Sequence, residues 1–174
     1  MSLVVWLTAA VHGCSWQVVL TLLAWKLYCP EGLHMLRGNH EVPSVNEYYG
    51  FKDELQFKYR QEGDRIRDGF NDLFTQLPLG AIIADRILTV HGGIPRALND
   101  ESFTLDQMRK CPRESEPELK KLLSDVLWSD PHDDLGTAES ERNAGILFGP
   151  DVTQKFLQRT GLECIIRAHQ VRTT

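Results

Sequence analysis

Cysteine is scarce in this sequence: Cys14, Cys29, Cys111 and Cys164 are the only four in 174 residues, and no two of them form a CxxC pair. Neither a zinc knuckle nor a redox dithiol is signalled, and a reducing intracellular setting, cytoplasmic or nuclear, is the simpler expectation. Basic charge is also short, with 19 Lys and Arg against 24 Asp and Glu, a net charge of −5. No global positive field is available to hold a phosphodiester backbone, so nucleic acid is not an expected partner. The apolar run at residues 3–11 has the length of a signal-peptide core, but no Lys or Arg precedes it and residues 12–17 interrupt it before a bilayer is spanned. Neither a signal peptide nor a membrane anchor is expected. Internal repeats and low-complexity tracts are lacking too.

What is present is the composition of one soluble domain, 42% hydrophobic and 25% charged, enough to bury a core. Residues 18–27 are rich in Leu, Val and Ala and stop at Pro30, which predicts a largely buried helix. A short strand is expected at Leu33–Leu36. Apolar and aromatic residues from Tyr48 to Leu77 recur three or four apart, predicting helices interrupted near Gly63. Two strands, residues 81–84 and Ile87–Val90, flank an Asp85-Arg86 turn. A polar excursion over residues 99–118 carries a short helix at Leu105–Arg109, and residues 119–127 read as helical. A Gly-, Asp- and Ser-rich loop over residues 132–143, a helix over residues 148–157 and a last strand at residues 164–166 complete the pattern.

Three times an apolar run that reads as a buried strand empties into a metal-capable or acid-base residue: Asn39 with His40, then His91, then His169. In α/β folds, ligands gather outside the carboxyl ends of strands, so residues distant in sequence can converge there. Imidazole nitrogens and an amide oxygen suit a borderline divalent ion such as manganese, iron or zinc. Singly, such a histidine commonly pairs with a backbone carbonyl; three at successive strand ends favour Asn39, His91 and His169 as ligands of one ion. Gly38, Gly92 and Gly93 would let the backbone approach an ion or a phosphate closely. His34, inside a strand, and His132, in a polar loop, are expected to be structural.

His40 adjoins the proposed ligand Asn39 and is left to donate a proton to the oxygen leaving phosphorus, a role that commonly contributes about 10² to 10⁴-fold. Arg142 could clamp phosphate oxygens through its planar fork, and Arg37 could do the same or brace the turn.

The motifs Leu36-Arg37-Gly38-Asn39-His40-Glu41, His91-Gly92-Gly93, Leu127-Trp128-Ser129-Asp130-Pro131 and Arg167-Ala168-His169-Gln170 together resemble the phosphoprotein phosphatase family of serine/threonine phosphatases. Phe148-Gly149-Pro150-Asp151-Val152-Thr153 is similar to the branch that includes protein phosphatase 5. The resemblance covers roughly residues 13 to 171, and implies a partial catalytic domain over residues 13–174 after an unmatched segment over residues 1–12. The implied fold is α/β of the α+β type: a calcineurin-like metallophosphoesterase with a central β-sandwich flanked by helices, incomplete at both ends. The implied activity is hydrolysis of phosphoserine and phosphothreonine in proteins by two metal ions, with regulatory or targeting subunits as possible partners. Carried over by motif, Asn39, His91 and His169 resemble metal ligands, His40 the general acid and Arg142 a phosphate-binding arginine.

Two family motifs are missing. Gly-Asp-x-His-Gly, which supplies the first metal, is absent, and Val11-His12-Gly13 stands where Gly-Asp-x-Val-Asp-Arg-Gly should end. A further metal-binding His and the last strands are expected beyond Thr174. At most one ion is therefore expected here, and unpaired sheet edges predict poor solubility. A non-catalytic pseudophosphatase that binds partners is the alternative to an enzyme. A phosphodiesterase of the wider metallophosphoesterase class, sharing Asn-His-Glu, is a third reading that the Trp-Ser-Asp-Pro and Arg-Ala-His-Gln elements count against.

Overall fold

A computed structural model describes residues 3–6 and 13–171. The chain divides into two compact units, Met1–Pro78 with Glu114–Glu116, and Leu79–Arg113 with Pro117–Thr174. The first unit opens with β1 (Leu3–Trp6), a strand that the sequence did not signal. It pairs in parallel with β2 (Leu33–Leu36), Leu3 opposite Leu33. Parallel neighbours need a long crossover, and α1 (Ser15–Tyr28) lies within it. Val11 and His12 lie outside the described residues.

The expectation of a largely buried α1 is wrong. Its buried residues are Ser15 and Val19, while Leu27 and Tyr28 are 82% and 90% exposed. The helix is apolar nearly all round, so its composition could not show which stripe meets the core. That core gathers Val19, Leu33, Met35, Phe51, Leu55, Phe70, Phe74 and Leu77. The helical stretch beyond residue 42 divides into α2 (Pro43–Tyr48), α3 (Phe51–Tyr59) and α4 (Gly63–Gln76). α4 starts at Gly63 close against α3, where a Cβ would lie 2.7 Å from the Cα of Gln56. α2 is anchored through buried Asn46, whose Nδ2 donates to Asn71 at 2.7 Å while its Oδ1 accepts from Arg67 at 3.0 Å.

In the second unit β3 (Gly80–Ile83) and β4 (Ile87–Val90) form a hairpin, with Ala84 and Asp85 both at positive φ in its turn. β4 also pairs in parallel with the strand at Cys164–Arg167, which has Arg167 opposite Val90. The helices α5 (Leu105–Arg109) and α6 (Leu122–Trp128) come between them in sequence. A second sheet is built from β5 (Asp130–Pro131), β6 (Thr137–Glu139) and β7 (Ile146–Phe148), with β7 in the middle. Strands of two and three residues leave no readable alternation, which is why residues 132–143 read as a loop. Phe148 belongs to β7, and α7 starts later than expected, at Pro150–Thr160. The strand at Cys164–Arg167 is β8.

Candidate active site

Register places two of the predicted histidines together. β4 and β8 are parallel neighbours that end side by side, so His91 and His169 emerge at the same edge. Ala168 N donates to His91 O at 3.1 Å, and the two imidazole centroids lie 5.3 Å apart. His169 takes a left-handed backbone, φ 67°, uncommon outside glycine. Both side chains are buried. Trp128, at the end of α6, stands edge-on to His169 at 5.6 Å.

The group that organises this edge is Asp130, the buried first residue of β5. His169 Nδ1 lies 2.9 Å from Asp130 Oδ1, and Arg167 Nη2 donates to the same oxygen at 2.5 Å. Arg142 Nε donates to Oδ2 at 3.0 Å. Burial by itself would raise the carboxyl pKa, but the hydrogen bonds and charges of His169 and Arg167 outweigh it and hold the group at about 2. Asp130 is thus ionised at neutral pH and favours the His169 tautomer with hydrogen on Nδ1. The opposite nitrogen, Nε2, is buried and has no hydrogen-bond partner among the described residues.

Gly92 and Gly93 make room for close packing. A Cβ on Gly92 would lie 2.6 Å from Leu127 C and Val126 O, and one on Gly93 would lie 2.4 Å from the Phe148 ring. Their amides donate to Val126 O at 3.0 and 3.3 Å, fastening the end of β4 to α6.

The first unit carries the other two predicted residues. β2 ends at Leu36, and Gly38-Asn39-His40-Glu41 turns back on itself, Gly38 N donating to Glu41 Oε2 at 2.8 Å. Asn39 is buried, and the His40 ring packs on Tyr49 at 4.7 Å. Of the two roles open to Arg37, the structure selects the brace. The side chain is fully buried and donates to Glu41 O at 3.0 Å, Glu114 O at 2.7 Å and Ser115 O at 3.0 Å. His34 lies within β2, and His132 Nε2 is 3.4 Å from Gly136 O.

Residues 10–172 match the sequence profile of the calcineurin-like phosphoesterases. The chain belongs to this family. It is 41% identical over 162 residues to serine/threonine-protein phosphatase T of Schizosaccharomyces pombe, covering 91% of this chain and 33% of that protein. Human serine/threonine-protein phosphatase 5 is 39% identical over 158 residues, with 91% of this chain and 30% of that protein covered. A solved Saccharomyces cerevisiae protein serine/threonine phosphatase, described as similar to human phosphatase PP5, superposes with a TM-score of 0.82 at 37% identity, over 91% of this chain and 48% of that one. The chain thus spans about a third of the length of the curated relatives it matches. The fold is the calcineurin-like metallophosphoesterase fold, and the resemblance to serine/threonine phosphatases holds.

This calcineurin-like family implies divalent metal ions. The donors fit one: a buried imidazole oriented by a carboxylate, with its second nitrogen unpartnered, is the arrangement that metal-ligating histidines adopt. Among the described residues no group of three or more His, Cys, Asp or Glu is gathered for an ion. Sequence reasoning missed Asp130 and Arg167 as working parts of the site. The available signal was the Trp128-Ser129-Asp130-Pro131 motif and an arginine closing an apolar strand, a position where burial demands a partner.

Proposed function

We propose that this chain carries the metal-binding and proton-donating portion of a hydrolase that removes phosphate from phosphoserine and phosphothreonine in proteins. The observation that carries the reading is the Asp130-oriented His169, its Nε2 buried and unpartnered beside His91. His91 and His169 would hold a single ion of manganese, iron or zinc. The assignment of Asn39 as a third ligand rests on its motif. When bound, such an ion supplies Lewis-acid polarisation of a phosphoryl oxygen. Asp130 fixes the imidazole and keeps its proton on the nitrogen facing away from the ion. Arg142, tethered through Nε yet 42% exposed, offers the rest of its fork to phosphate oxygens. His40 donates the proton that the departing serine or threonine oxygen requires.

A phosphoprotein is the proposed substrate, and an intracellular protein with regulatory or targeting subunits is the proposed context. The four free cysteines favour a reducing compartment. No helix among the described residues is long and apolar enough to cross a membrane. A second reading, a pseudophosphatase that binds without turning over, is favoured by Val11-His12-Gly13 standing where the resemblance requires an Asp-Arg-Gly.

Manganese-dependent hydrolysis of a phosphoserine peptide decides between them, with His40→Ala as control. Turnover that needs both manganese and His40 is expected of the enzyme. A folded, manganese-binding chain without turnover would mean a binding module or a portion of an enzyme, and a folded chain that binds no manganese would sink the metal reading of both.

A further inference from the structure

The turn that bears Asn39 and His40 is gripped by a segment far away in sequence. On one flank, Arg37 reaches Glu114 O and Ser115 O, while its Nε and Nη2 donate to Glu41 O at the end of the turn. On the other flank, Ser44 N donates to Glu116 Oε1 at 2.7 Å and Ser44 Oγ to Glu116 Oε2 at 2.9 Å. Three consecutive residues, 114 to 116, therefore hold both sides of a tetrapeptide that lies 72 or more positions earlier.

The two grips differ in kind. Arg37 is fully buried and ties separate backbone segments of the first unit together. The carboxylate of Glu116 sits at the surface and meets Ser44 inside the first turn of α2, where backbone N–H groups have no intrahelical acceptor. It contributes little to the core and much to the angle at which the chain leaves His40 and enters α2.

We propose that Glu116 is a positioning residue for the Asn39–His40 turn, acting through Ser44. The proposal rests on the reading of Asn39 as a metal ligand. A charged acceptor bonding both the amide and the hydroxyl of one residue holds the following helix start in a single orientation. Without it, the turn loses its hold on the Ser44 flank, and Asn39 and His40 sample a wider range of positions. A ligand displaced by about 1 Å loses much of its contribution.

The test uses the full chain with Glu116→Ala, Glu116→Gln and Ser44→Ala. Glu116 is exposed, so folding is not at stake, and the thermal midpoint of each variant verifies this. Two quantities are read: amide hydrogen exchange over residues 38–46, with residues 150–160 as internal reference, and the dissociation constant for manganese. Glu116→Ala is expected to speed exchange over 38–46 by about tenfold and weaken manganese binding by a similar factor, leaving residues 150–160 unchanged. Glu116→Gln, which keeps one acceptor oxygen, is expected to restore most of both. Faster exchange with unchanged manganese affinity would overturn the positioning role, and unchanged exchange would overturn the clamp itself. If the unsubstituted chain binds no manganese, the metal reading of the site fails, and exchange alone then decides whether Glu116 holds the turn.

Discussion

The two strand ends that carry candidate site residues are held by opposite chemistry. In the first unit a buried cation, Arg37, is satisfied by backbone carbonyls, and its position depends on where the chain runs. In the second a buried anion, Asp130, is satisfied by the side chains His169, Arg167 and Arg142. The first arrangement fixes a backbone path; the second fixes an imidazole tautomer and the direction of its lone pair. Ligand-bearing turns can thus be secured through main chain or through charge, and only the second is expected to fail with acid in a way that a single residue explains.

The largest expected effect comes from removing the anion. Asp130→Ala leaves Arg167 and His169 without their shared acceptor, a loss of about 3 to 5 kcal/mol in urea unfolding. A loss below about 1 kcal/mol would show that charge is not what holds this edge. The acid limb of stability is the second test. The folded pKa of Asp130, about 2, lies below its unfolded value of roughly 3.9, so its contribution is fully present above the unfolded pKa and disappears as pH falls toward the folded one. The stability difference between the parent and Asp130→Asn, roughly 2 kcal/mol at neutral pH, should close between about pH 4 and pH 2. A difference independent of pH across that range would refute the assignment. The smallest stability effect is expected at Arg142, part exposed and joined to Asp130 by Nε. Arg142→Ala should cost about 1 kcal/mol or less, while inorganic phosphate binds about tenfold more weakly; unchanged phosphate affinity would remove Arg142 from the site.

Much of the chemistry was legible before any coordinates. His91 follows the strand Ile87–Val90 directly and His169 stands two residues beyond the strand Cys164–Arg167, so both short apolar runs led to the histidines, and β4 and β8 bear this out. The hairpin turn at Ala84 and Asp85 and the short helix Leu105–Arg109 were equally readable, since turn chemistry and local periodicity act over a few residues. Asp130 was legible only as part of the Trp-Ser-Asp-Pro motif, because nothing local shows which cations a buried carboxylate will meet 12, 37 or 39 positions away.

By itself, the sequence determined which residue types stand at the strand ends, where the helices break, and the family. Tertiary structure alone decided that Arg37 braces a turn, that Gly92 and Gly93 make room for α6 and Phe148, that most of the apolar surface of α1 faces outward, and that Asp130 aims His169. The physical reason is range: propensity and periodicity are set by neighbours along the chain, whereas a buried charge or a missing Cβ is answered by whatever distant segment packs against it.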